Sequence, residues 1–73
     1  MKDYDILITS KRIKELRTEC KLSQKALADK IGVAQNTVAQ YENGTAKPSL
    51  EVLFKLAIVL STTADYLLGL SDW

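Results

Sequence analysis

The sequence predicts a compact all-α domain of five short helices joined by connections of a few residues. Three observations predict it. Helix-starting residues precede apolar runs at Ser10, Ser23, Ser49 and Thr63, and helix-stopping glycines follow them at Gly32, Gly44 and Gly69. Within the runs, apolar residues recur three and four positions apart, the period of an α-helix. No strand-like alternation persists over a useful length, although Ile6, Leu7, Ile8 and Thr9 form a β-prone run.

Ser10 is the expected cap of the first helix, which runs to about residue 20 with Ile13, Leu16, Arg17 and Cys20 on one face. Ahead of it, residues 1–9 are assigned to an N-terminal arm, read either as extended chain or as an early turn of that helix. Ser23 caps the second helix, QKALADKI, which buries Leu27 and Ile31 and ends at Gly32, where a left-handed backbone costs little. The third spans residues 34–43 and is stopped by Gly44. Pro48 and Ser49 open the fourth, LEVLFKLAIVL, with Leu50, Leu53, Leu56, Ala57 and Leu60 as its inward stripe. Thr63 caps a short fifth, ADYLL, closed by Gly69, so the domain covers residues 10–69 and residues 70–73 form a tail.

Composition narrows the chemistry. Seventy-three residues support one domain with a thin core. A single cysteine cannot form an internal disulfide, and Cys20 reads as a small packing residue of a reduced, cytosolic protein. The absence of histidine removes imidazole acid–base chemistry and His-ligated zinc, and the lone cysteine removes thiolate clusters. No paired carboxylates or nucleophile–base set are placed to meet, so the expectation is a non-enzyme with no metal and no cofactor. The apolar runs are too short for a membrane span, and the start MKDYDILITS is acidic where a secretory leader is basic; a cytoplasmic chain with no membrane partner is expected.

Net charge is only +1, yet it is unevenly distributed. Residues 11–30 carry +4, from Lys11, Arg12, Lys14, Arg17, Lys21, Lys25 and Lys30 against Glu15, Glu19 and Asp29, and the remainder carries −3. One basic surface and one neutral-to-acidic surface follow, which is either a solvated helix face or the footprint of a polyanion.

The third helix favours the polyanion only together with the spacing around it; taken alone, its amides read more readily as solvation of a short helix. At about 100° per residue, Asn36, Gln40 and Asn43 fall within about 60° of one another with Ala39 beside them, and Ala34, Val38 and Tyr41 fall opposite. Gln35 and Thr37 lie on the flanks. An amide offers a donor and an acceptor at a spacing that matches N6 and N7 of adenine in the major groove, and a small alanine allows close approach. The neighbouring spacing completes a helix-turn-helix. From Gln24 the chain supplies Leu27, the small contact residue Ala28, Ile31, Gly32 at the turn, Val33, Val38 and Tyr41.

With RIKELRTECKLSQKALADKIGVAQNTVAQYENG, KPSLEVLFKLA and DYLLG, the chain resembles the Cro and phage-repressor type of helix-turn-helix domain, also called Xre-type or lambda-repressor-like. The resemblance spans residues 11–69 and implies a five-helix fold whose second and third helices form the helix-turn-helix. It further implies that the third helix enters the major groove of double-stranded DNA, with Ala34, Gln35, Asn36 and Gln40 at bases. Gln24, Lys25, Thr37, Asn43, Thr45 and Lys47 are implied at phosphates. It also implies that Arg17 and Glu42 meet as a semi-buried ion pair; the alternative is two unrelated surface charges.

Departures from the family pattern carry expectations of their own. Lys21 stands where the family commonly has glycine after the first helix, so either a left-handed lysine costs about 1 kcal/mol or the helix ends differently. Ser61 and Thr62 replace a glycine-containing turn. Phe54, Ile58, Leu70 and Trp73 add apolar surface which, with Tyr66 and Leu67, reads as a dimer patch in preference to core closure.

The function expected is a sequence-specific transcriptional regulator of bacterial or phage origin, a repressor acting as a homodimer on a pseudo-palindromic operator by promoter occlusion. No small-molecule ligand is expected, and without a sensor domain regulation falls to abundance or a partner protein. The rivals are an antitoxin that binds both DNA and a toxin, and a protein-interaction module without DNA binding.

Overall fold

The computed structural model describes residues 3–73 and contains five helices: α1 (Ile6–Glu19), α2 (Gln24–Ile31), α3 (Gln35–Asn43), α4 (Leu50–Val59) and α5 (Ala64–Leu68). Helices α2 and α5 begin and end at the expected caps and glycines, α4 begins at Ser49 and ends one residue early at Val59, and α3 begins one residue late at Gln35 and ends at Gly44. Ser23, Ser49 and Thr63 accept hydrogen bonds from the backbone N–H of Ala26, Val52 and Tyr66.

The first helix corrects the sequence reading. It starts at Ile6, capped by Asp5, whose carboxylate accepts from Leu7 N at 2.9 Å. Residues 6–9 are therefore its first turn, the second of the two readings given for the arm, whose residues 1 and 2 lie outside the described residues; Ser10 lies inside the helix, 3% exposed, its hydroxyl donating to the Ile6 carbonyl at 3.0 Å. The reason is tertiary. Thr9 is buried against α5 and donates to the Leu67 carbonyl at 2.7 Å, a contact 58 residues distant in sequence that rewards the earlier start.

Two exposures also correct the expected stripes. Cys20 is the C-cap of α1 and faces solvent, because the helix ends before its last turn reaches the core. Leu50 is 86% exposed: as the first residue of α4 it sits at the edge of an arc that Leu53, Leu56 and Leu60 fill.

The helices pack around one core in which Ile13, Leu27, Ile31, Val38, Leu56 and Leu67 are almost fully buried. Burying each such side chain contributes roughly 1.5–3 kcal/mol. Helix α1 packs on α3 and α5, α2 on α3 and α4, and α4 on α5, so α3 is braced from two sides. The particle measures 36 × 23 × 20 Å.

Lys21 and Ser61 resolve the question of the missing glycines. Both are left-handed, with φ of 59° and 53°, and each follows a helix C-cap. The next residue closes the same six-to-one bond in each turn, Leu22 N to Arg17 O at 3.1 Å and Thr62 N to Ala57 O at 2.9 Å. The turn is kept at the expense of backbone strain.

Candidate nucleic-acid interface

Helix α3 divides into an inner and an outer face as its sequence directs. Val38 is fully buried and Tyr41 5% exposed, anchoring the helix in the core. Burial raises the Tyr41 phenol above its ordinary value. Ala34, Gln35, Asn36, Gln40 and Asn43 are exposed, and Thr37 and Ala39 are half-buried on the flanks. Nine residues at about 1.5 Å each make a rod about 13 Å long, comparable with the ~12 Å width of the major groove.

The turn that presents this rod depends on Gly32. Its φ of 73° reverses the chain after α2, and Val33 N then donates to the Ala28 carbonyl at 3.0 Å. Ala28 is fully buried and small, which lets α2 and α3 approach. Ala34 caps α3 without a side-chain hydrogen bond, so the first N–H groups of α3 point outward from an exposed end.

Behind the outer face lies a polar lock. Arg17 donates from Nε and Nη2 to Glu42 at 2.6 and 3.0 Å, and from Nη1 to the Leu22 carbonyl at 2.8 Å. Gln24 Nε2 adds a third donor to Glu42 at 3.2 Å. Side-chain exposure of 11% for Arg17 and 4% for Glu42 makes this an interior pair, and the Glu42 hydrogen bond raises the guanidinium further above its ordinary value against the opposing effect of burial. One arginine thus ties α1, the connection before α2 and the end of α3 into a rigid unit.

The phosphate candidates fall into different situations. Gln24 opens α2 with its amide turned to Glu42, leaving its carbonyl oxygen for other partners. Asn43 accepts from Thr45 N at 3.0 Å and from Thr45 Oγ1 at 2.6 Å, which shapes the turn after α3. Lys25 is paired with Asp29 at 2.7 Å, and Lys47 is exposed beyond the turn. The lysines of the basic segment, Lys11, Lys14, Lys21, Lys25 and Lys30, are all exposed, whereas Arg12 and Arg17 are turned inward.

The apolar patch is only partly as expected. Phe54 and Ile58 are 66% and 63% exposed along α4, and Leu70 and Trp73 are 73% and 90% exposed beyond α5. Leu67, however, is fully buried core, and Tyr66 is covered by the Arg12 guanidinium 4.1 Å above its ring. Arg12 is a residue that sequence reasoning missed. It donates to the carbonyls of Tyr66 and Ser71 at 2.5 and 2.7 Å, backbone partners that leave no trace in side-chain identity.

Among the described residues no helix is long and apolar enough to cross a membrane, and no cluster of acidic or thiol side chains has metal-site geometry. An all-α domain with a helix-turn-helix holding an amide-bearing helix against a rigid support defines a class, the lambda-repressor-like domains. The helix-turn-helix family model matches residues 13–67, and the chain belongs to that family. It is 47% identical over 58 residues to the HTH-type transcriptional regulator AnsR of Bacillus subtilis, covering 80% of this chain and 50% of that protein. It is 48% identical over 48 residues to the cryptic phage CTXphi transcriptional repressor RstR of Vibrio cholerae, covering 66% and 43%. Its fold superimposes on the P22 c2 repressor in complex with a synthetic operator, with a TM-score of 0.81, 33% identity, and coverage of 84% and 92%. The chain spans about half the length of the curated relatives it matches.

Proposed function

We propose that this chain is a sequence-specific double-stranded DNA-binding transcriptional regulator, a repressor that binds a pseudo-palindromic operator as a homodimer and occludes the promoter. The observation that carries this reading is the outer face of α3, where the amides of Gln35, Asn36 and Gln40 are exposed on a helix held from behind by Arg17, Glu42 and Gln24. Base recognition needs donors and acceptors fixed in register, and a braced helix supplies them with little ordering left to do on binding. Gln24, Asn43, Thr45 and Lys47 flank that face and are assigned to the phosphates, which position the domain without specifying sequence. Lys25 and Thr37 are assigned to the same role, Lys25 after exchanging Asp29 for phosphate.

A two-fold pair would set its recognition helices about 34 Å apart, one turn of B-DNA. Phe54, Ile58, Leu70 and Trp73 are the surface assigned to that pairing, because isolated large apolar side chains gain most when a symmetric copy covers them. Similarity to phage and bacterial repressors supports repression over activation.

The test is selection of the purified protein on a random-sequence DNA pool at about physiological salt. Enrichment of two inverted half-sites about one helical turn apart is the expected result. Survivors with no shared sequence would refute base reading by α3 and turn attention to a protein partner.

A further inference from the structure

The connection between α3 and α4 carries Lys47, assigned above to the DNA backbone, and Tyr4 reaches this connection. Lys47 Nζ lies 5.5 Å from the centroid of the Tyr4 ring, within cation–π range. The ring is itself tethered. Tyr4 OH donates to Thr9 Oγ1 at 2.8 Å, and Thr9, 1% exposed, donates onward to the Leu67 carbonyl at 2.7 Å. One turn along, Leu7 sits against Gly44, where an added Cβ would stand 3.3 Å from Leu7 Cδ2. The first turn of α1 therefore backs the connection at Gly44, and Tyr4 just ahead of it backs the connection at Lys47.

We propose that Tyr4 is a positioning residue for DNA binding, its ring holding the Lys47 ammonium over one face while the other face of the cation meets a phosphate. This rests on the assignment of Lys47 to the DNA backbone. The choice of partner matters chemically. Lys11, Lys25 and Lys55 each face a carboxylate, which a phosphate must displace. An aromatic face orders the long lysine stem without neutralising its charge, so the cation is ordered in advance and still fully available to an anion. Tyr4 carries no charge of its own and acts only through Lys47.

A double-mutant cycle tests this, using a labelled duplex of mixed sequence titrated at several salt concentrations. Lys47→Ala is expected to weaken binding and lower the salt slope by about one unit. With Lys47 present, Tyr4→Leu is expected to weaken binding about two- to fivefold, and Tyr4→Phe, which keeps the ring but loses its tether to Thr9, to weaken it less. In the Lys47→Ala background, Tyr4→Leu should change nothing. An equal loss from Tyr4→Leu in both backgrounds, or a loss from Tyr4→Phe as large as from Tyr4→Leu, would overturn the positioning role while leaving the Lys47 assignment intact. An unchanged salt slope for Lys47→Ala would overturn that assignment and the proposal with it. Thermal melts of each variant above the assay temperature exclude unfolding as the cause.

Discussion

Replacing Glu42 by alanine removes the acceptor of Arg17 Nε and Nη2 and leaves an 11%-exposed guanidinium with the Leu22 carbonyl as its remaining partner. Stranding one member of an interior pair costs about 3–5 kcal/mol. A domain of this size has roughly 4–11 kcal/mol of stability in total, so the loss is a large fraction of it. At about 4–8 °C per kcal/mol, the melting temperature should fall by roughly 12–40 °C. Arg17→Met strands Glu42 instead, but Gln24 Nε2 still donates to that carboxylate, so its loss should be the smaller of the two. Melts followed by circular dichroism near neutral pH should show the larger fall for Glu42→Ala. Arg17→Met with Glu42→Leu should regain most of the loss, because no charge remains to strand. Equal losses under about 1 kcal/mol for both single variants would refute the assignment of an interior pair.

Lys21 is left-handed at φ 59°, so Lys21→Gly should raise stability by about 0.5–1 kcal/mol in urea unfolding after the added chain entropy of glycine is subtracted; a decrease would show that the lysine side chain makes an offsetting contact. Gln40→Ala should lose about 1–3 kcal/mol of discrimination at one base pair of the selected site with an unchanged melting temperature, and uniform weakening on all sequences would remove Gln40 from base reading. Phe54→Asp should leave the circular dichroism spectrum intact and shift sedimentation toward the monomer, whereas an unchanged profile would exclude α4 from the dimer surface. Burial raises the Tyr41 phenol, so its contribution is fully present below about pH 10 and is lost as pH rises through the higher folded value; Tyr41→Phe should flatten that alkaline fall in stability.

Local chemistry was legible and distant chemistry was not. Ser23, Ser49, Thr63 and the three glycines act within a turn of themselves: α2 and α5 begin and end where they direct, α4 begins and α3 ends there. The outer face of α3 was legible because its amides share one helix, so a single period orders them. Ser10 misled because the competition between it and Asp5 is decided by Thr9 meeting α5, and no local pattern contains that contact. Leu50 and Cys20 misled because a helical stripe says which side is apolar but not how far along the helix its neighbours extend. Arg12 and Tyr4 escaped notice for a related cause: their partners are backbone carbonyls and a lysine far away in sequence.

The outer face of α3 is not tied down by its own side chains. Among the described residues, the side-chain amides of Gln35, Asn36 and Gln40 take no part in the hydrogen bonds that hold the fold, while the lock behind them rests on Arg17, Gln24 and Glu42. Exposed positions of this kind tolerate substitution within about 0.5 kcal/mol. Under the proposed base-reading role, two copies of the gene would drift apart at three codons and acquire separate addresses on a genome while each keeps its fold.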